Sequence, residues 1–214
     1  SYAASPWVGV ASAGTSGSHN LTEATNPPAV GAPINSLDPA DFDGVNDKLV
    51  TSGGDLTNYV SAAAGSGWFL LNARTVCPNP GTGAPYGSDG LLNDLPGDGL
   101  HIGISAAGFQ AGFYDGATWG SVQVACATGG WHLCQYKWNG TACLAKVDSS
   151  AWSTVARGNL NTASMGTLQV GKNYDAATEF DGLIADIGVT NIVLSDAEFV
   201  SIKSYINSRY GLSL

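Results

Sequence analysis

Along most of the chain apolar and polar residues alternate in short bursts, each closed off by Gly, Pro, Asn or Asp; only the last twenty or so residues change period. A two-residue period places successive side chains on opposite faces of a strand. It predicts strands at Trp7–Val10, 41–50, 67–76, 100–106, 109–114, 119–125, 131–138, 141–148 and about 167–172. Asp115-Gly116 joins one hairpin and Asn139-Gly140 another, the latter being the strongest short hairpin signal. Residues 77–99 are rich in Gly and Pro and read as a long loop. After Phe180 a further strand is expected, with Leu183, Ala185, Ile187 and Val189 on one face.

The period then lengthens. Ser195 followed by Glu198 forms a capping box, in which each side chain satisfies a free N–H at a helix start. Phe199, Ile202 and Ile206 recur at helical spacing, Arg209 falls in the last turn, and Gly211 is placed to end the helix. An isolated helix of this length is marginal in water, so its apolar stripe must cap the core, at a sheet edge or end. Roughly ten strands and one terminal helix, with no visible linker, predict one all-β sandwich over residues 1–214. Residues 1–39 supply a first strand and an irregular arm, and 195–211 the closing helix.

One small motif recurs: Phe42-Asp43-Gly44, Tyr114-Asp115-Gly116, Trp138-Asn139-Gly140 and Phe180-Asp181-Gly182. Asp or Asn and Gly tolerate the positive φ of tight turns, and the aromatic anchors the strand end.

Composition narrows the partners. Charged residues make up 12% of the chain, against roughly 25% in ordinary domains. The net charge is −9 with no Lys/Arg run, which argues against a nucleic-acid partner. No apolar run is long enough to cross a membrane as a helix. No signal-peptide pattern is visible, and Ser1 fits a removed initiator Met, a cleaved signal or a domain boundary. The four cysteines, Cys77, Cys126, Cys134 and Cys143, allow three full pairings and lack zinc or redox spacing. If 127–130 is a hairpin connection, Cys126 and Cys134 face each other across two strands. A two-residue turn at Asn139-Gly140 would put Cys143 diagonal to Cys134.

Catalytic patterns are sparse. Glycoside hydrolysis needs two carboxylates about 5–9.5 Å apart, and the only glutamates are Glu23, Glu179 and Glu198, the last of them in the capping box. His19, His101 and His132 stand alone in sequence, so the chain is expected not to be an enzyme. Asp38, Asp41, Asp43, Asn46 and Asp47 crowd one turn, and clustered hard oxygens suit Ca²⁺, the one cofactor nominated. Asp89, Asn93, Asp94 and Asp98 form a second, weaker candidate. For a sugar, an aromatic plane beside acid and amide groups is needed. Tyr114, Asp115, Trp119, Trp152, Asn173 and Tyr174 are the candidates at loop tips, while Trp68, Trp131 and Trp138 lie within strand patterns as core.

Phe180-Asp181-Gly182, Leu194-Ser195-Asp196-Ala197-Glu198 and Arg209-Tyr210-Gly211, with the Asp41–Leu49 stretch and Trp131 through Trp138-Asn139-Gly140, resemble a known family. It is the laminin G-like, concanavalin A-like β-sandwich of phage virion and bacterial surface proteins, and the resemblance spans residues 40–211. It implies a jelly-roll fold, often with calcium at a sandwich rim, at a virion surface or outside the cell. The implied role is a non-catalytic surface module contacting a glycan or receptor, alongside other virion or envelope subunits or further copies of itself. The alternative is a purely structural decoration, capsid or tail protein without a ligand. A lesser alternative is a polysaccharide-degrading enzyme on the same fold.

Overall fold

The computed structural model describes residues 7–8, 20–22, 26–51, 60–75, 89–95, 99–162, 167–172 and 179–214. In chain order the strands are β1 (Trp7–Val8), β2 (Asn20–Thr22), β3 (Ala29–Val30), β4 (Ala40–Asp43), β5 (Leu49–Thr51), β6 (Gly65–Ala73), β7 (Asp89–Leu95) and β8 (Leu100–Ser105). They continue with β9 (Gly108–Tyr114), β10 (Trp119–Val124), β11 (His132–Trp138), β12 (Ala142–Val147), β13 (Ser153–Ala156), β14 (Thr167–Val170) and β15 (Asp181–Thr190). Helix α1 (Asp196–Tyr210) follows.

Two antiparallel sheets stack face to face. An eight-stranded sheet runs β1-β2-β5-β14-β7-β8-β9-β10, and a seven-stranded sheet runs β13-β12-β11-β6-β15-β4-β3. Alternation along each strand sends every second side chain between them. Ile102, Ile104, Phe109, Ala111, Phe113, Leu168 and Val170 from the first sheet meet Phe42, Phe69, Leu71, Tyr136, Trp138 and Ile184 from the second in one buried cluster. Trp138 is in the core as expected.

The helix begins and ends where local chemistry dictates. Ser195 Oγ accepts from Glu198 N, and Glu198 Oε2 accepts from Ser195 N at 2.7 Å. Gly211 closes it with φ 66°. Its place differs from the expectation: it lies across the outer face of the seven-stranded sheet. There Ile206 and Tyr210 join Leu70, Leu133 and Ala185 in a second buried cluster.

Several sequence expectations are corrected by long-range pairing. The strand expected over 41–50 is two, β4 and β5, in different sheets, because Asp43-Gly44 turns the chain between them. The 77–99 loop contains strand β7, and β13 was not anticipated at all. Residues 125–131 cross from one sheet to the other and are not a hairpin. The register pairs Trp138 with Cys143 and Cys134 with Val147, not as a two-residue turn at Asn139-Gly140 would pair them, so Cys143 is not diagonal to Cys134. Asp181 and Gly182 already belong to β15, and a Cβ on Gly182 would lie 2.4 Å from Asn72 O. This copy of the motif is therefore a close strand packing, with Phe180 edge-on to Phe42 at 5.9 Å.

The face expected for β15 is also broken. A bulge between Ile184 and Asp186 shifts the register and turns both Ala185 and Asp186 toward the helix. Ile184 packs in the main core, Ile187 and Val189 pack against it, and Ala185 joins the helix-side cluster. Asp186 receives hydrogen bonds from Trp68 Nε1 (3.1 Å) and Tyr210 Oη (3.1 Å), and burial pushes its carboxyl above the usual range.

Candidate functional site

The β9–β10 hairpin supplies the accessible part. Asp115 Oδ1 accepts from Ala117 N (3.0 Å) and Thr118 N (2.8 Å), and Gly116, at φ 93°, makes the tight reversal. Those two amides, with Arg157 beside them, hold the Asp115 carboxyl below the usual range. Arg157 Nη1 donates to Thr118 Oγ1 (3.1 Å) and its Nη2 to Trp119 O, so the strand after the turn is tied to the opposite sheet. Trp119 pairs with Tyr114 in register, and their half-buried rings lie 5.4 Å apart at 34°.

Because Phe109, Ala111 and Phe113 face the core, Gln110, Gly112 and Tyr114 face away from it. The same parity puts His101 and Gly103 of β8, Ser121 and Gln123 of β10 and Gln169 of β14 on this outer face. Backbone register aligns Ser121, Gly112, His101, Asn93 and Gln169 in one row across five strands. A second row holds Gln123, Gln110 and Gly103. Ser121 is half-buried and Gln123 exposed along the edge strand. Behind them His101 and Gln110 are each 3% exposed. The buried Gln110 Oε1 has no hydrogen-bond donor, an unusual state for a native polar atom. Burial pushes His101 down to about 3, so its imidazole is neutral near pH 7.

An aromatic pair at one end of a face, with the Ser121 hydroxyl and Gln123 amide along the edge strand, can hold a polyhydroxylated ligand by ring contact and directional hydrogen bonds. His101, Gln110 and Gln169 lie buried behind them. Gln110, His101 and Gln169 were missed in the sequence. The available signal was that each is the polar member of an alternating strand.

The other sequence candidates fall elsewhere. Trp152 lies beneath the helix, 5.0 Å and edge-on from Phe199. Its Nε1 donates to Asp196 Oδ1 (2.9 Å), with Lys137 Nζ and Lys146 Nζ 4.4 Å and 4.8 Å from its ring. The structure does not bring it to Tyr114 and Trp119. Asn173 and Tyr174 lie outside the described residues.

Around the acidic turn, Asp41 pairs with Arg74 at 2.6 Å, and Asp181 meets the same guanidinium at 2.7 Å. Asp43 Oδ1 accepts from Val45 N (2.8 Å) and from the backbone of Asn46 (3.3 Å), and Asp47 Oδ2 accepts from Asp43 N (2.9 Å). Asp38 is exposed nearby. No group of three His, Cys, Asp or Glu side chains is set to hold a metal ion among the described residues. Of the second candidate, Asp89, Asn93 and Asp94 form part of β7, and Asp98 lies outside the described residues.

Among the described residues, two groups of catalytic type have structural partners. His132 Nδ1 lies 2.7 Å from Asp148 Oδ2, whose other oxygen accepts from Leu133 N. Glu179 pairs with Lys172 at 3.3 Å.

No protein-family model matches the chain, and no curated protein matches it. Solved structures do. The binding domain of Paraclostridial Mosquitocidal Protein 1 superposes with a TM-score of 0.65 at 13% identity, over 89% of this chain and 48% of that one. Domain 4 of AbnA, a GH43 extracellular arabinanase from Geobacillus stearothermophilus solved with arabinotriose, gives 0.59 at 10% identity, covering 88% and 82%. A native heptameric SAP-like pentraxin from Limulus polyphemus gives 0.53 at 12%, covering 79% and 82%. At such identities the likeness is one of fold, and with the two stacked antiparallel sheets it makes the chain a concanavalin A-like jelly-roll sandwich with a capping helix.

Proposed function

We propose that this chain is a non-catalytic surface module of a phage virion or bacterial envelope that contacts a glycan or receptor. The contact face is the outer side of the eight-stranded sheet. The observation that carries the reading is the tilted, half-buried Tyr114–Trp119 pair at the hairpin tip, on the same face as the exposed Gln123. The similar folds include the Mosquitocidal Protein 1 binding domain and an arabinanase domain solved with arabinotriose, which supports the reading at the level of binding.

A second reading, structural decoration without a ligand, draws on the exposed Ile192, Val193, Val200 and Tyr205 at and before the helix. Such side chains suit contact with another subunit.

Binding to host-surface polysaccharides, measured for wild type, Trp119→Ala and Gln110→Ala, separates the two. Losing an aromatic platform typically costs about 1–2 kcal/mol of binding. Trp119→Ala should therefore bind several-fold more weakly with an unchanged Tm. A large fall in Tm instead would place Trp119 among the structural aromatics and favour the second reading. Release of reducing ends or unsaturated sugars would overturn the non-catalytic part.

A further inference from the structure

Cys77 lies outside the described residues; among the three described cysteines the fold brings one pair together. Cys126 stands at the start of the 125–131 crossing between sheets, and Cys134 is the third residue of β11, pointing into the core. Their Sγ atoms lie 3.9 Å apart. All three described cysteines are free thiols, and Cys143 sits opposite Trp138 in the register. Cys134 is fully buried and Cys126 only partly so. Burial, and then the neighbouring Cys126, raises the Cys134 thiol well above its ordinary range.

We infer that Cys126 and Cys134 are an oxidation site that closes to a cystine joining the two sheets. A small-molecule disulfide such as oxidised glutathione supplies the oxidant. The accessible Cys126 sulfur, as thiolate, attacks it, releasing one glutathione thiol and leaving a mixed disulfide. Cys134 then gives up its proton and attacks the Cys126 sulfur, releasing the second glutathione thiol. Two protein thiols are oxidised and one glutathione disulfide is reduced, so atoms and electrons balance. Bringing the sulfurs to a bond length of about 2 Å asks for a shift of about 2 Å. The half-buried Cys126, on a connection outside both sheets, is the side free to make it.

The position gives the bond a mechanical consequence. β10 is the edge of the eight-stranded sheet, and Arg157 already ties its first residues to the opposite sheet. A cystine at 126–134 would tie its far end as well, so the strand bearing Trp119 would be held at both ends.

The test uses the whole chain, purified reduced and then incubated with oxidised glutathione. Thiol titration after denaturation should fall from four to two, and peptide mapping should show a 126–134 link. The oxidised form should melt several degrees higher, and dithiothreitol should reverse the gain. Cys126→Ala, which spares the buried partner, should abolish the shift and keep its thiols. Full alkylation of both cysteines after oxidation, or a link from either to Cys77 or Cys143, would overturn the assignment. Thiol count and linkage mapping do not depend on glycan binding, so the two hypotheses fail separately.

Discussion

The two sheets meet one shared core, yet their outer faces are treated in opposite ways. On the seven-stranded sheet Leu70, Leu133 and Ala185 are apolar, and a 15-residue helix covers them. On the eight-stranded sheet the equivalent outward positions carry His101, Gln110, Ser121, Gln123 and Gln169, with glycines between, and end in the Tyr114–Trp119 pair. Trp152 and Trp119 make the contrast concrete. Both are half-buried, but Trp152 packs against Phe199, Asp196 and two lysines, whereas Trp119 has its ring against Tyr114 at a hairpin tip. One outer face is apolar and covered by a docked helix. On the other the inner polar residues His101, Gln110 and Gln169 are buried as well, and of the residues named it is Ser121, Gln123 and the Tyr114–Trp119 end that reach solvent.

The harshest way to break this comparison is to remove the seal. Truncation after Leu194 would uncover Leu70, Leu133 and Ala185 and delete Phe199, Ile206 and Tyr210, all of them buried. Fully burying each large side chain is worth about 1.5–3 kcal/mol, against a typical total of 5–15 kcal/mol. The truncated chain should be insoluble or lose cooperative melting. A milder form is Trp152→Ala, which should lower stability by roughly 1–3 kcal/mol and leave glycan binding intact, the reverse of Trp119→Ala. A soluble truncation with unchanged melting would make the helix an appendage.

How much of this was legible follows from how local each signal is. The capping box at Ser195 and Glu198, the Asp115-Gly116 hairpin and the Asn139-Gly140 connection depend on neighbours in sequence, and they stand where the residues implied. The bulge at Ala185, the split at Asp43-Gly44 and strand β7 depend on partners far along the chain, which periodicity does not encode. The candidate site divides in the same way. Tyr114, Asp115 and Trp119 were visible because one turn brings them together. Gln110 and Gln169 are ordinary polar residues of alternating strands, and only sheet order shows that they share a face that the helix does not cover. Trp152 looked like a loop-tip platform because nothing in the sequence says where the helix docks.

Acidity should sharpen the comparison, since one titrating group on each side carries the opposite sign. His101 stays neutral in the fold down to about 3, whereas the unfolded chain takes up its proton near about 6.5. Its stabilising contribution is present above that value and declines as pH falls toward the folded pKa. Asp186 is raised by burial, despite its bonds from Trp68 and Tyr210. Its contribution is full below the ordinary Asp range and lost as pH rises through its folded pKa. Urea midpoints across pH should show His101→Gln flattening the acid limb between 6.5 and 3, an effect on the order of a few kcal/mol. Asp186→Asn should gain stability at pH 7 and converge on wild type in acid. A less stable Asp186→Asn at neutral pH would mean that its two hydrogen bonds outweigh its burial.

The smallest expected effect lies at the turn between the sheets, where β4 leaves one and β5 enters the other. Burial, with Asp43 and Asp41 close by, raises the Asp47 carboxyl above the usual range, a condition that a divalent cation would relieve. Against this, Asp41 is already paired with Arg74 and Asp43 already accepts two backbone amides. Ca²⁺ wants six to eight oxygens and would have to share or displace these bonds, so we propose only weak binding, at Asp43 and Asp47 with Asp38 and Asn46 beside them. At a tenfold excess over Kd, linkage gives about 1.4 kcal/mol, or roughly 3–5 °C in Tm for a chain of this size. Melting in millimolar Ca²⁺ should therefore exceed melting in EDTA by that amount in wild type and by nothing in Asp43→Ala. Identical wild-type curves in the two conditions would remove calcium and leave the acidic turn as what its hydrogen bonds already make it, a cap that redirects the chain from the sealed sheet to the polar one.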